Sequence, residues 1–321
     1  MRYRTLGSTG IRVSEIGFGT WGLGGTASGA VAYGPTDDSQ SIRALQVALD
    51  AGINFFDTAD FYGFGHSEQI VGTALRRMRE RVVIASKAGM LDAAGTQDFS
   101  PRYLRRALER SLGRLGTDYI DLYQLHSPPI ELLQGDDRIL AELQRFKEEG
   151  KIRAYGLSAR SPEDAAVGVE ELGFPCIQAN FNLVDQRALE GRLFEICARK
   201  DAGVIARTPL CFGFLTGRYS AASEFDQHDH RNRWSVDQRE RWAGAMGHFV
   251  SALARRPGQT PAQFALSFCL SFPAVSTAIP GMLTEDHVKE NAGASDFGAL
   301  SERETAEIVD VYRENSFFVR A

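Results

Sequence analysis

The chain has 321 residues, 43% hydrophobic and 24% charged, with a formal net charge of −5 at pH 7. That balance is ordinary for a folded domain and excludes a disordered chain. It also disfavours nucleic acid as a partner, since no basic stripe is present, and membrane spanning, since no apolar run approaches ~18–20 residues. Met1-Arg2-Tyr3-Arg4-Thr5 lacks the apolar stretch of a signal peptide. Cys176, Cys197, Cys211 and Cys269 form no C-x-x-C pair and read as reduced core thiols. A cytoplasmic protein is expected.

The first 13 residues, with Gly7 and Gly10 around a turn, predict a small hairpin. A strand follows at 15–21, then a helix at 39–51 that stops before Gly52. Strands are predicted at 54–60 and 82–89. Ser100 as cap and Pro101 at the first turn predict a helix over 101–116. Strands at 119–127, 152–159, 176–182, 203–210 and 274–281 then alternate with helices at 137–149, 162–172, 186–200 and 261–272. Further helices are expected at 284–294 and 301–314. The connection from Cys211 to about Thr260 is oversized and holds a helix around 236–255. Most strands are nearly continuous apolar runs, as strands covered on both faces are. Eight strands alternating with helices predict one (β/α)8 TIM barrel over 1–321, with an N-terminal β-hairpin and an extra C-terminal helix.

Barrel chemistry sits at the carboxyl ends of the strands. Asp57, Tyr62, Lys87 and His126 end strands two, three and four and so can meet at one rim. A tyrosine is a poor acid at neutral pH, with an ordinary pKa of about 10. An ammonium at Lys87 would lower that pKa, and Asp57 would supply the counter-charge. His126 would bind a carbonyl oxygen or relay the proton. The set suits carbonyl reduction by hydride, with a general acid aimed at a developing alkoxide. Singly, each residue has a plainer reading. Asp57 can be a turn residue, Lys87 an ion-pair lysine, His126 a loop cap before Ser127-Pro128-Pro129, and Tyr62 a packed aromatic beside Phe61 and Phe64. All four at successive strand ends favour the chemical reading.

Two rival chemistries fit these residues less well. A barrel metalloenzyme would gather His and carboxylate ligands at strand ends, but His66, His228, His230, His248 and His287 fall elsewhere; no metal is expected. Gly17-Phe18-Gly19-Thr20-Trp21-Gly22 matches G-x-G-x-x-G, yet no helix opens directly after it, and no Y-x-x-x-K pair occurs.

At these residues the sequence resembles the aldo-keto reductase family, over nearly its whole length. The likeness runs through Tyr3-Arg4-Thr5-Leu6-Gly7, Gly17-Phe18-Gly19-Thr20, Asp57-Thr58-Ala59 with Tyr62-Gly63, Ser67-Glu68, Ser86-Lys87 and Asp121-Leu122-Tyr123-Gln124-Leu125-His126. Gly156-Leu157-Ser158, Gln178 with Asn180 to Asn182, Pro209-Leu210 and Leu215-Thr216-Gly217-Arg218 extend it. The resemblance implies a one-domain barrel reducing an aldehyde, ketone or sugar carbonyl with NADP(H), NAD(H) remaining open, or oxidising the corresponding alcohol. It makes Tyr62 the general acid, tuned by Lys87 and Asp57, with His126 orienting the substrate. It places Ser158 and Gln178 on the nicotinamide, and Gly19, Thr20 and Asp57 along the ribose. Pro209, Leu210, Gly213 and Arg218 fall at the pyrophosphate, and Gly281, His287, Glu290 and Asn291 at the adenosine. Trp21 falls on the substrate side.

Three departures stand out. Ala159 replaces an asparagine that holds the carboxamide, a loss on the order of 1 kcal/mol. Arg207 replaces an aromatic that stacks on the nicotinamide; a planar guanidinium can stack instead. Met282-Leu283-Thr284 replaces basic residues that grip a 2′-phosphate, leaving Lys289 and Arg218 nearby. Segment 225–231 resembles a loop that folds over the cofactor, with Arg231 a candidate anion contact and Asp229 its local partner, or else a solvated charge cluster. Trp234, His230 and the tail Phe317-Phe318-Val319-Arg320 are candidates for the substrate mouth, the tail alternatively packing on the barrel's outside. The class alternative is a nicotinamide-binding regulatory or sensor subunit with little turnover.

Overall fold

The structure is a computed structural model that describes residues 1–26, 29, 31–220 and 222–319. Arg320, part of the tail considered above, lies outside the described residues. Strands β1 (Tyr3–Thr5) and β2 (Arg12–Ser14) pair antiparallel, with Tyr3 opposite Ser14. Eight parallel strands follow in unbroken neighbour order: β3 (Phe18–Gly19), β4 (Phe55–Asp57), β5 (Val83–Ala88), β6 (Ile120–His126), β7 (Ile152–Ser158), β8 (Cys176–Asn180), β9 (Gly203–Arg207) and β10 (Val275–Ala278). The sheet closes on itself as a (β/α)8 barrel. Gly17 N donates to the Ala278 carbonyl at 2.8 Å, Ala278 N to the Glu15 carbonyl at 2.9 Å, and Gly19 bridges Gly281.

The helices are α1 (Asp38–Asp50), α2 (His66–Leu75), α3 (Pro101–Leu115), α4 (Ile130–Gly135), α5 (Asp137–Glu148), α6 (Pro162–Glu170) and α7 (Arg187–Glu190). They continue as α8 (Leu193–Lys200), α9 (Val236–Ala252), α10 (Pro261–Leu270), α11 (Glu285–Ala292), α12 (Ala294–Phe297) and α13 (Glu302–Glu314). No described helix is long and apolar enough to cross a membrane.

Strand alternation splits the apolar residues between two cores. Phe56, Ile84, Tyr123, Leu157, Ile177 and Val204 face the helices. Their neighbours Phe55, Val83, Ala85, Leu122, Cys176 and Ile205 point into the barrel, where Leu6, Ile11 and Val13 of the hairpin close the floor. Gly7 makes that plug fit: its φ is +50°, and any Cβ would collide with the Gly203 nitrogen. Two residues further up the same inward rows, apolar side chains give way to Asp57, Lys87, Gln124, Gln178 and Arg207. The barrel is therefore apolar at its floor and polar at its mouth.

Four local features differ from the sequence expectation. The first strand is only Phe18–Gly19, because the chain turns into a short 3-10 segment at Trp21–Gly24. Helix α2 carried no cap signal; its N-cap is Gly65 in the left-handed region, without a side-chain cap. The helix predicted over 186–200 breaks into α7 and α8 at Arg192, whose φ is +54°. Short α4 precedes α5. As read from the sequence, G-x-G-x-x-G opens no helix; α1 starts only at Asp38.

Candidate active site

Lys87 is fully buried, and its ammonium group has three acceptors. It donates to Asp57 Oδ1 at 2.5 Å, to the Thr58 carbonyl at 2.9 Å and to the Tyr62 hydroxyl at 3.2 Å. The other carboxylate oxygen of Asp57 accepts from Gln178 Nε2 at 2.8 Å and Gln124 Nε2 at 3.2 Å. Both charges are thus paired and hydrogen-bonded, the condition for keeping an ion pair inside a protein. Burial by itself would lower the lysine's pKa; Asp57 and Tyr62 outweigh it and hold Lys87 above its ordinary value.

Tyr62 departs from the sequence expectation. Burial raises its pKa more than Lys87 lowers it, so the phenol sits above its ordinary value and stays protonated at neutral pH. Burial, then Lys87 and Arg207, drives the His126 pKa well below its ordinary value, leaving a neutral imidazole. The rings of Tyr62 and His126 meet edge to face with centroids 5.8 Å apart, and His126 Nδ1 is buried without a partner. The loop carrying Tyr62 is braced from the first barrel strand: Thr20 Oγ1 donates to the Asp57 carbonyl at 2.9 Å and contacts Ser67 Oγ at 2.8 Å. The Thr20 hydroxyl is therefore committed to structure.

A cavity of about 500 Å3 runs from Tyr62 and His126 across the mouth to α11. Of the residues expected at the site, Gly19, Thr20, Trp21, Asp57, Tyr62, His126, Gln178 and Arg207 line its inner part. Pro209, Leu210, Gly213, Arg218, Gly281, His287, Glu290 and Asn291 line the rest. Ser158 does not. It lies behind Arg207, which donates Nη1 to Ser158 Oγ, Nε to Asn180 Oδ1 and Nη2 to the Ala159 carbonyl, at 2.9, 2.8 and 2.9 Å. The Arg207 guanidinium thus covers Ser158 and the Ala159 carbonyl. Gln178 Oε1 is buried and unpartnered beside it. Phe61, Met90, Phe212 and Tyr219 also line the cavity and carried no sequence signal beyond their neighbours.

The loop after β9 holds three non-glycine residues at positive φ, Thr208 (54°), Cys211 (45°) and Phe212 (56°), next to Gly213 at 92°. Such strain persists where surrounding structure imposes it. At the far end Arg218 pairs with Glu290 at 2.6 Å. His287 Nδ1 accepts from Leu283 N at 3.3 Å, and burial, then Arg218, lowers its pKa. Lys289 pairs instead with Glu285 at 3.8 Å and does not line the cavity.

Segment 225–231 crosses the mouth, bridging Ala32 to Asp229. Arg231, the candidate anion contact, lines the cavity and also braces this segment. The guanidinium pairs with Asp229 at 2.5 Å and lies over Phe225, Tyr219 and Tyr33 at 4.1, 4.6 and 5.0 Å. His230 packs 4.4 Å from Trp21, and Trp234 packs 4.4 Å from Phe212. Both stand behind the cavity wall rather than on it. Phe317 stacks on Phe249 at 5.3 Å and Phe318 meets Trp242 at 5.9 Å, so the described tail packs against α9. Among the described residues, no three His, Cys, Asp or Glu side chains are grouped to hold a metal ion.

The aldo/keto reductase family model matches residues 15–313. The chain belongs to the aldo/keto reductase family. It is 35% identical over 292 residues to the aldo-keto reductase YhdN of Bacillus subtilis, covering 88% of this chain and 85% of that one. It is 31% identical to the NADH-specific methylglyoxal reductase of Escherichia coli, covering 97% of this chain and all of that one. The solved glycerol dehydrogenase of Gluconobacter oxydans superposes with a TM-score of 0.79 at 31% identity, covering 100% and 97% of the two chains. This aldo/keto reductase is accordingly an oxidoreductase of a family that works with nicotinamide cofactors.

Proposed function

We propose that this aldo/keto reductase reduces a small aldehyde, ketone or sugar carbonyl, or oxidises the corresponding alcohol, as one cytoplasmic domain spanning residues 1–321. The observation that carries the reading is the buried Lys87 ammonium shared between Asp57 and the Tyr62 hydroxyl. Residues fit a nicotinamide dinucleotide along the wall from Arg207 to Asn291. Buried Gln178 Oε1 is an acceptor suited to a carboxamide N–H, and the strained loop at 208–213 lines the wall where a pyrophosphate would lie. When bound, the cofactor supplies hydride to the carbonyl carbon or takes it back.

The protein's own part is proton transfer and placement. Tyr62, held protonated by burial, donates its hydroxyl proton to the carbonyl oxygen. Lys87 stabilises the phenolate left behind, and Asp57 keeps Lys87 charged and fixed. Neutral His126 donates a ring N–H to the same oxygen without competing as a cation. Trp21 and Phe61 give the substrate an aromatic wall.

The resemblance implies NADP(H). The far end of the cavity favours NAD(H), because Arg218 is neutralised by Glu290 and His287 is neutral.

The test follows loss of NADH and NADPH against a panel of aldehydes, ketones and sugars. Turnover is expected with the wild type, and Tyr62→Phe is expected to keep cofactor binding while kcat falls by at least about a hundredfold. Near-normal turnover in that variant would refute Tyr62 as the acid. Cofactor binding without turnover across the panel would favour the sensor reading.

A further inference from the structure

Arg207 stands at the inner end of the cavity without a carboxylate partner of its own. Its three guanidinium nitrogens donate to neutral acceptors only: Asn180 Oδ1, Ser158 Oγ and the Ala159 carbonyl. Among the described residues it has no carboxylate at ion-pair distance. The carboxylates that act on Arg207 are each paired with another cation. Lys87 is balanced by Asp57, and Asp185 by Arg187 through two bonds of 2.7 Å. Tyr62 and His126 are held neutral. The inner end of the cavity therefore carries one positive charge in excess. Three of the five guanidinium N–H groups are engaged, one on each nitrogen, and they fix the charge of Arg207 at the wall of the cavity it lines.

We infer that Arg207 makes this site discriminate between the redox states of its cofactor, holding the reduced nicotinamide more tightly than the oxidised one. The inference rests on the nicotinamide reading above. A reduced nicotinamide ring is neutral, whereas the oxidised ring is a cation. An aromatic side chain in this place would attract the cationic ring through its π face. A fixed guanidinium does the reverse. Two like unit charges about 5 Å apart at an effective dielectric of ~20 repel by an amount on the order of a hundredfold in affinity. Asp57 nearby offsets part of this, so about tenfold is expected. The bias loads the site with reduced cofactor, expels the oxidised product and favours the carbonyl-reducing direction.

The experiment is a binding titration of the full-length protein, by calorimetry or by quenching of tryptophan fluorescence, with NAD+, NADH, NADP+ and NADPH separately. For whichever pair binds, the wild type is expected to prefer the reduced form by about tenfold. Arg207→Met removes the charge and keeps an unbranched apolar side chain; the ratio should fall to within about twofold of unity. Arg207→Lys keeps the charge and should keep most of the preference. Equal affinities in the wild type, or a wild-type ratio in a folded Arg207→Met, would overturn the inference. Should Arg207→Met fail to fold, the wild-type ratio and its retention in Arg207→Lys decide. If no form of either cofactor binds the wild type, the nicotinamide reading itself falls, and this inference with it.

Discussion

Asp60, two residues before Tyr62, shows what a single side chain can do to the pH response. Its backbone N–H donates to the Lys87 carbonyl at 3.1 Å, its Oδ2 accepts from the Tyr103 hydroxyl at 3.4 Å, and its Oδ1 is buried without a partner. Burial, then the nearby Glu68, raises its pKa to about 7, against the weaker pull of Arg114 and Arg110. The folded state thus binds this proton more tightly than the unfolded chain does. The stabilisation is complete below about pH 4 and is lost as the pH rises through 7. Asp60→Asn should remove this slope, worth on the order of 2–4 kcal/mol between pH 5 and 8. Melting temperatures at the two pH values test it, and an unchanged difference would count against the assignment. Glu290 invites a second residue-scale test. Glu290→Gln frees Arg218 from its ion pair, and NADPH affinity should rise about three- to tenfold relative to NADH. An unchanged ratio in a binding titration would dismiss the Arg218–Glu290 pair as the selector. Asp57, Lys87 and His126 were legible because each sits at or next to a strand end, and Tyr62 because it lies in the turn that follows Asp57. The direction of the Tyr62 shift, the placement of Ser158 behind Arg207 and the self-bracing of Arg231 were not. Each depends on neighbours remote in sequence and on how much water they exclude.

Among the elements, the turn that carries Tyr62 is the most tightly specified. Gly63 has φ +60°, and a Cβ there would run into the backbone of Gly24 in the turn after β3. The two loops can touch only because both residues lack side chains. Gly63→Ala should therefore cost roughly 1–3 kcal/mol in stability and lower kcat more than it raises KM, since the tyrosine moves with the turn. Wild-type kcat in a purified Gly63→Ala protein would show that this contact does not position Tyr62. The nine helices expected from the sequence all have counterparts, because caps such as Ser100 and apolar periodicity mark them. Helix α2 escaped notice for a physical reason. It is ten residues long, begins at an uncapped Gly65 and contains Gly72, whose missing side chain lets α3 approach at Leu115. Its helicity comes from packing, which a local pattern does not encode.

For the molecule as a whole, Glu15 is the point where the ring is fastened. It is 1% exposed and accepts from Arg2 at 3.0 Å, Arg4 at 3.1 Å and Ser295 Oγ at 2.7 Å, while its carbonyl accepts from Ala278 N. One residue thus joins the floor hairpin, the first and last barrel strands and α12. Glu15→Gln keeps the shape and weakens two charge-assisted bonds, at a cost of about 2 kcal/mol. Chemical denaturation checks this; a loss below about 0.5 kcal/mol would mean the closure does not lean on Glu15.

The sequence by itself determined the order of strands and helices, the barrel, the four residues Asp57, Tyr62, Lys87 and His126 that meet at its mouth, and the family. Those features are written in local periodicity, caps and strand-end residues, which survive without knowledge of neighbours. The tertiary structure decided the rest: which strand residues turn inward, that Tyr62 stays protonated, that Arg207 stands unpaired in front of Ser158, and that Arg218 is neutralised by Glu290. Burial and charge pairing between residues tens to more than a hundred positions apart set these properties, and only the closed barrel brings those residues together.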